Sequence, residues 1–282
     1  MAKRRIGIRG PKLQRRQMRA LTAAIVVLLA AILGIGGTAG GASNGGTGLE
    51  GCSAQLMELS GQRASISNPD TASSSTLASV PAYSGHPYAV IDASQDAPDG
   101  APVFTDAEIS RAESGAFEDY SSLDALGRCG TALACVGTET MPTGKRGDIH
   151  EVHPTGWRQR FYDFIDQEAL YNRCHLIAHS LAGEDANARN LITGTRSMNT
   201  QGMLPFEEAT VDYIRSTGNH VLYRVTPIFQ GDELVARGVH MEARSVEDDG
   251  AGILFNVYCY NVEPCVEIDY ATGENRASVS ES

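Results

Sequence analysis

Three consecutive runs near the C-terminus have the composition of β-strands and are separated only by short, turn-like segments. They cover residues 220–229, 234–246 and 253–262, and the separators are residues 230–232 and 247–252. Short connections of this kind join antiparallel neighbours, whereas a parallel pair needs a crossover of a dozen or more residues. We therefore predict that this part of the chain builds an antiparallel sheet.

Upstream, strand-like and helix-like segments are mixed without the regular βαβ order of a parallel sheet. Residues 83–91 and 120–136 favour strands, the latter as one strand or as a strand–turn–strand unit, and residues 145–152 are predicted as a charged loop leading into a strand. Thr105 and Glu108 have the spacing of a capping box that opens a helix, and residues 162–170 favour a second helix. The predicted class is α+β, with a central antiparallel sheet and helices packed on it.

The N-terminus is first basic and then apolar. Residues 1–19 contain eight Lys or Arg and no acid, and the eighteen residues 20–37 carry no charge. Such a run is just long enough to cross a bilayer as a helix, and its basic flank would stay in the cytoplasm. We predict an uncleaved transmembrane signal anchor; the alternative is a cleaved signal peptide, because small residues follow at 38–42. Residues 38–81 are then a Gly/Ser-rich linker, and residues 82–278 are the folded domain outside the cell.

The charge balance argues at first against a nucleic-acid substrate. The basic leader contributes +8 to a total of −11, so the rest of the chain carries −19. Nucleic-acid affinity depends mainly on basic side chains that neutralise phosphates. The middle of the chain nevertheless holds several cations that could form a local positive groove: Arg128, Lys145, Arg146, Arg158, Arg160, Arg173, Arg189 and Arg196.

Six cysteines lie beyond the apolar run, in a compartment where disulfides persist. Cys129 and Cys135 are six residues apart, as are Cys259 and Cys265, so each pair could close a local loop. The alternative is that the cysteines are buried free thiols, which are common in protein cores. A zinc site is disfavoured because the sequence contains no C-x-x-C.

The stretch 172–207 holds three polar side chains in an arrangement suited to chemistry. His175 is followed by Asn199, and Glu207 lies eight residues after Asn199. A helix is predicted from residue 200 onward, because Pro205 suits a first turn and Gly218 suits a stop. Eight helical residues span slightly more than two turns, so Asn199 and Glu207 would lie on roughly one face and could share a metal ion.

In this order and spacing the residues resemble the DNA/RNA non-specific endonucleases, the ββα-metal nucleases. That family's signature is D-R-G-H, then an N-I-x₇-N block, then a Glu; here the matching residues are NRCH ending at His175, the block from Asn190 to Asn199, and Glu207. Segments such as GTETMPTGKRGDI, HPTGW and GNHVLYRVTPIF are similar to secreted and membrane-held bacterial members, so the resemblance covers roughly residues 83–276. Asn172 and Cys174 replace the signature's Asp and Gly, while the His is kept.

The resemblance implies a metal site built on a strand, a loop and a helix. It implies His175 as general base, Asn199 as metal ligand and Glu207 as the holder of metal-bound water. Arg173 is a further predicted catalytic residue that could clamp phosphate or be structural, and Asn190 could touch the active site or only hold a turn. Weaker candidates for phosphate contacts are Arg128, Lys145 and Arg146.

These residue types suit phosphodiester hydrolysis. A histidine with a pKa near neutrality can take a proton from water. Mg²⁺ prefers oxygen ligands and keeps several waters, so one Asn carbonyl and a Glu are sufficient, with Mn²⁺ as a substitute. A site that grips backbone phosphates and reads no base edges is indifferent to sequence.

The sequence therefore predicts a Mg²⁺-dependent, sequence-non-specific endonuclease. Its substrates would be DNA and also RNA, its domain would be held outside the cell by the anchor or secreted, and no stable protein partner is implied. The alternative is a catalytically inactive, nuclease-like surface protein used for binding or display.

Overall fold

The computed structural model describes residues 80–91 and 100–278. The ten strands within these ranges, numbered in chain order, are β1 Tyr88–Val90, β2 Phe117–Tyr120, β3 Ala132–Val136, β4 Tyr171–His175, β5 Leu191–Thr195, β6 Val221–Ile228, β7 Gly238–Ser245, β8 Leu254–Tyr260, β9 Val266–Ile268 and β10 Asn275–Ala277. The α-helices are α1 Asp106–Glu113, α2 His179–Ala182 and α3 Leu204–Thr217, with a 3₁₀ turn at Ala188–Asn190 and a π-helical turn at Met198–Met203.

A six-stranded antiparallel sheet in the order β1-β8-β7-β6-β3-β2 forms the centre of the molecule. The three predicted C-terminal strands are confirmed as β6, β7 and β8, with Met241 of β7 paired to Val225 on one side and Val257 on the other. Because both faces of this sheet are covered, β6 is buried along nearly its whole length. The predicted α+β class is therefore confirmed.

Helix α1 packs on one face of this sheet and confirms the capping box. Thr105 accepts a hydrogen bond from the Glu108 amide, and the Glu108 carboxylate accepts one from the Thr105 amide in return. The other oxygen of Glu108 accepts a hydrogen bond from Arg224 of β6, and the buried Glu242 of β7 binds the same guanidinium. A buried arginine with two carboxylates thus ties the N-terminal part of the domain to the central strands.

The other face carries the large apolar core and the strand–strand–helix unit that holds the predicted site. Strand β4 pairs antiparallel with β5, so that Arg173 lies opposite Thr193 and His175 lies opposite Leu191. The π-helical turn and α3 follow β5 directly. Pro205 stands in the first turn of α3, and Gly218 ends the helix with a φ of 74°.

The predicted helix at 162–170 is wrong. Residues Gln167 and Glu168 both have positive φ, near 61° and 62°, which no α-helix accommodates. Ile165 and Leu170 are nevertheless buried in one small apolar cluster, whereas Phe164 is exposed. The loop at 145–152 also does not lead into a strand, and the strand predicted at 83–91 is confined to β1.

The predicted local disulfides are also wrong. Cys129, Cys135 and Cys259 are buried free thiols, as is Cys174, while Cys265 is disulfide-bonded. Cys129 and Cys135 belong to different apolar clusters on the two faces of the sheet, so strand geometry keeps their sulfurs apart. Burial raises the pKa of Cys129 to about 11 and that of Cys135 to about 12, so both thiols are chemically inert.

The predicted leader and membrane anchor, and the linker up to residue 79, lie outside the described residues. Within 80–91 and 100–278, no helix is long and apolar enough to span a bilayer.

Candidate active site

His175 ends strand β4 and is the centre of the site. Its ring is 6% exposed, and Nε2 lies 3.0 Å from the backbone carbonyl oxygen of Asp185. A carbonyl oxygen can only accept a hydrogen bond, so Nε2 carries the proton and Nδ1 carries the lone pair. Burial, with smaller contributions from Arg146 and His179 and against the opposing hydrogen bond to the Asp185 carbonyl, lowers the pKa of His175 to about 4. The ring is therefore neutral at physiological pH.

Arg146 approaches His175 from an exposed loop. Its Nη2 lies 3.2 Å from Nδ1 of His175 and donates to that lone pair. The next residue, Gly147, donates its amide to Oδ1 of Asp185 over 2.8 Å. A Cβ on Gly147 would lie 2.6 Å from Oδ2 of Asp185, so glycine allows this close approach. The loop that carries Arg146 is thus docked on the segment that orients His175.

Asp185 was not identified from the sequence. Its backbone carbonyl accepts a hydrogen bond from the ring of His175, and its carboxylate accepts one from the Gly147 amide. Oδ1 of the same carboxylate lies 3.2 Å from Nε2 of His179. The only sequence signal was its place inside the stretch 172–207, because neither a backbone carbonyl nor a loop contact has a spacing motif. The ring centroid of His179 lies 6.5 Å from that of His175, and its contact with the Asp185 carboxylate is within the protein.

Asn199 lies in the π-helical turn, where the amide of Leu204 donates to its carbonyl. Eight residues of pure α-helix would place Glu207 about 80° beyond two full turns. A π turn uses more residues per turn and reduces this offset, so Asn199 and Glu207 lie closer to one face than α-helical geometry allows. The side chain of Asn199 makes no hydrogen bond to any residue in the described ranges, so its side-chain oxygen Oδ1, unlike its backbone carbonyl, is available to a ligand.

Glu207 is a partly buried carboxyl in the first turn of α3. Burial and, to a smaller extent, Glu208 raise its pKa to about 8, against the opposing charge of Arg146. Its side chain makes no hydrogen bond within the part of the chain that the structure describes. A carboxylate that is this costly to charge is stabilised by a cation placed against it.

The donor set suits a hard divalent cation. Asn199 contributes an amide oxygen and Glu207 a carboxylate, and oxygen donors are what Mg²⁺ and similar ions prefer. Neither group is committed to another partner among the residues described. The predicted metal ligand and the predicted water-holding acid are therefore compatible with the metal that the resemblance implies.

Asn190 occupies a different position from the other predicted site residues. It is fully buried, its Oδ1 accepts the Ile177 amide at 2.8 Å, and its Nδ2 donates to the Ile177 carbonyl at 3.0 Å. Both ends of the amide are used, and they bind the backbone two residues after His175. These contacts support a positioning role, and direct participation in catalysis stays a prediction.

The structure commits two of the predicted phosphate ligands to protein contacts. Arg173 donates to the carbonyls of Val152 and His150, and its guanidinium lies 4.3 Å from the ring centroid of Trp157. Arg128 pairs with an aspartate and donates to two further carbonyls. Lys145 and Arg146 are exposed, so they are the predicted cations best able to meet a phosphate.

The two departures from the family signature have different surroundings. Cys174 is fully buried above Gly194 of β5, where an added Cβ would lie 2.4 Å from its sulfur. The thiol therefore fills space that the glycine leaves open. Asn172 has a buried Nδ2 without a hydrogen-bond partner in the described ranges.

Asn190→Ala should lower the free energy of unfolding by about 2–5 kcal/mol, because it leaves the buried amide and carbonyl of Ile177 without partners. Urea denaturation measures the change. Asn187→Ala is the matched control: Asn187 caps the same 3₁₀ turn at a partly exposed position and should cost about 1 kcal/mol. An equal loss of unfolding free energy in the two variants would contradict this positioning role of Asn190.

The chain is similar to known nucleases in sequence and in fold. Residues 108–247 match the family model described as DNA/RNA non-specific endonuclease. NucA from Streptococcus agalactiae with a magnesium ion bound is 29% identical, with a TM-score of 0.52, covering 58% of this chain and 78% of that one. NucA with no metal bound is 28% identical over the same shares, with a TM-score of 0.51.

Sda1 nuclease with a bound zinc ion is 28% identical, with a TM-score of 0.48 over 57% of this chain and 81% of its own. No curated protein matches the chain. The family match over 108–247, together with the likeness to NucA, identifies the chain as a member of the DNA/RNA non-specific endonuclease family.

Proposed function

We propose that the chain is a Mg²⁺-dependent endonuclease that cleaves DNA, and also RNA, without sequence preference, outside the cell. The observation that carries the proposal is the position of Arg146. This exposed cation contacts Nδ1 of His175 and acts electrostatically on Glu207, so a proton acceptor, a cation and a carboxyl converge at one place. These are the parts that hydrolysis of a phosphodiester requires.

His175 would take the proton from the attacking water at Nδ1. The Asp185 carbonyl fixes Nε2 as the protonated nitrogen and thereby keeps the lone pair on the other side of the ring. A pKa of about 4 keeps the ring neutral but makes it a weak base. A phosphate beside the ring adds negative charge and raises this pKa toward the working pH.

Asn199 and Glu207 would hold the metal. A divalent ion there supplies charge neutralisation for the phosphate and for the leaving oxygen. The magnesium ion bound in NucA supports Mg²⁺ as the ion, with Mn²⁺ as a substitute of similar oxygen preference. The neutral side chain of Asn199 leaves the ion more of its positive charge than an aspartate would.

The exposed Lys145 and Arg146 would contact phosphate rather than base edges, which supports the absence of sequence preference. The chain's net charge of −11 opposes long-range attraction of a polyanion. Cleavage should therefore depend on a few local contacts and on the metal ion rather than on a wide basic surface.

Two observations support a location outside the cell. The basic leader and the apolar run have the pattern of a signal anchor or a cleaved signal peptide. Cys265 is disulfide-bonded, and disulfides persist mainly in oxidising compartments. The membrane would then be a partner through the N-terminal segment.

Nicking of a supercoiled plasmid by the purified protein, with Mg²⁺ and with EDTA, tests the proposal. Because a positioned base contributes about 10²–10⁴-fold, His175→Ala should lose at least that much in rate while DNA affinity changes little. Circular dichroism confirms that the variant is folded. A protein that binds DNA but does not nick it with any divalent ion would instead be an inactive binding or display protein.

The pH dependence should show an unusually acidic limb. Neutral imidazole is the active form, so at saturating Mg²⁺ the rate constant kcat/KM should hold as pH falls through 6.5 and be half lost only near about 4. Steady-state rates between pH 3.5 and 8 measure this, with circular dichroism at each pH to exclude unfolding. A midpoint at or above 6.5 would show that His175 is not held neutral by burial.

Asn199→Ala should raise the Mg²⁺ concentration for half-maximal rate by at least about tenfold, since groups that merely orient a ligand already contribute 10–100-fold to metal affinity. Calorimetric titration of Mg²⁺ into the protein gives a second measurement without substrate. Asn219→Ala, just beyond the end of α3, is the matched control and should leave the metal dependence as it was. An unchanged response of Asn199→Ala would move the metal site elsewhere.

A further inference from the structure

The proton-accepting atom of the proposed base is already occupied in the free protein. Nε2 of His175 donates to Asp185, so Nδ1 is the only ring nitrogen that can accept a proton. Arg146 places Nη2 at 3.2 Å from that atom. A water molecule cannot give its proton to a lone pair that is engaged in this way.

The contact between Arg146 and His175 is also stabilised by the neighbouring loop residue, Gly147. Gly147 is fastened to the carboxylate of Asp185, and Asp185 also supplies the carbonyl that orients the ring of His175. Asp185 therefore positions the base and the guanidinium against each other. Arg146 is exposed, so no packing prevents it from leaving.

A phosphate is a better partner for Arg146 than a neutral ring nitrogen is. A guanidinium binds a phosphate through two parallel, charge-assisted hydrogen bonds, whereas Nδ1 accepts only one bond and carries no charge. A phosphodiester that reaches the site would therefore compete successfully for the guanidinium. The N–H that was directed at Nδ1 would then point at a phosphate oxygen.

We propose that Arg146 caps the general base in the free protein and is drawn off by the substrate phosphate, with Asp185 as the residue that holds the cap in place. The inference rests on the proposed role of His175 as base. It adds that binding a phosphodiester and freeing the base are one event, so the site becomes competent only when substrate is present.

The test measures the reactivity of His175 itself, without metal or nucleic acid. The full-length protein in EDTA at pH 7 is treated with diethyl pyrocarbonate, and modification of each histidine is followed by peptide mass mapping. Arg146→Ala should speed the modification of His175 about three- to tenfold, the population change expected when one ordinary hydrogen bond is lost. Lys145→Ala, which removes the neighbouring exposed charge, should leave the rate unchanged.

Inorganic phosphate provides the second arm. In the unmutated protein it should accelerate the modification of His175 with a saturable dependence on concentration, and in Arg146→Ala it should have no effect. Asp185→Ala keeps the backbone carbonyl but removes the hydrogen bond from the Gly147 amide, so the modification of His175 should be faster in this variant even without phosphate. The exposed His150 and His153 and a circular dichroism spectrum show whether each variant remains folded.

Three results would overturn the cap: a rate in Arg146→Ala equal to that of the unmutated protein, an equal acceleration in Lys145→Ala, or a phosphate response that is absent or inverted. None of these depends on cleavage, so they are separate from the test of the proposed function. A protein in which Arg146 shields His175 from modification but which cuts no DNA would refute only the nuclease proposal. An active nuclease in which Arg146 does not shield His175 would refute only the cap.

Discussion

The hydrogen bond from Nε2 of His175 to the carbonyl of Asp185 is the interaction on which the site depends. It decides which nitrogen of a buried ring carries the proton, and therefore which one can act. The fold supports this one bond from both ends. Strand pairing fixes where His175 emerges, and the fully buried Asn190 fixes the backbone just after it. A loose carbonyl here would leave a histidine without a defined tautomer.

Burial and charge act against each other throughout the site. The low exposure that keeps His175 neutral also makes Glu207 costly to ionise, and the cation of Arg146 acts on the pKa of both. On the opposite face of the sheet the buried charge of Arg224 is fully compensated within the protein, because it is paired with Glu242 and Glu108. In the site the charges are only partly compensated by protein partners, which suits groups that must exchange partners with substrate and metal.

Much of the fold followed from local patterns, and much of the site did not. The three C-terminal strands and the capped helix depend on side-chain periodicity and turn chemistry, which are visible within a few residues. The predicted helix at 162–170 is absent although Ile165 and Leu170 are buried, because Gln167 and Glu168 adopt left-handed backbone conformations that no local pattern marked. The role of Asp185 and the engagement of Arg128 and Arg173 depend on main-chain carbonyls brought together by folding, and no sequence motif marks those carbonyls.

The π-helical turn at Met198–Met203 makes the site unequally tolerant of genetic change. Its extra residue is what rotates Asn199 toward Glu207. Loss of a single codon between the two would let the backbone relax into an uninterrupted α-helix of about seven residues, which at about 100° per residue ends only about 20° short of two full turns. The two oxygen donors would then still face the same way. An added codon would instead turn Glu207 by about a further 100°, so the segment tolerates the loss of one residue better than the gain of one.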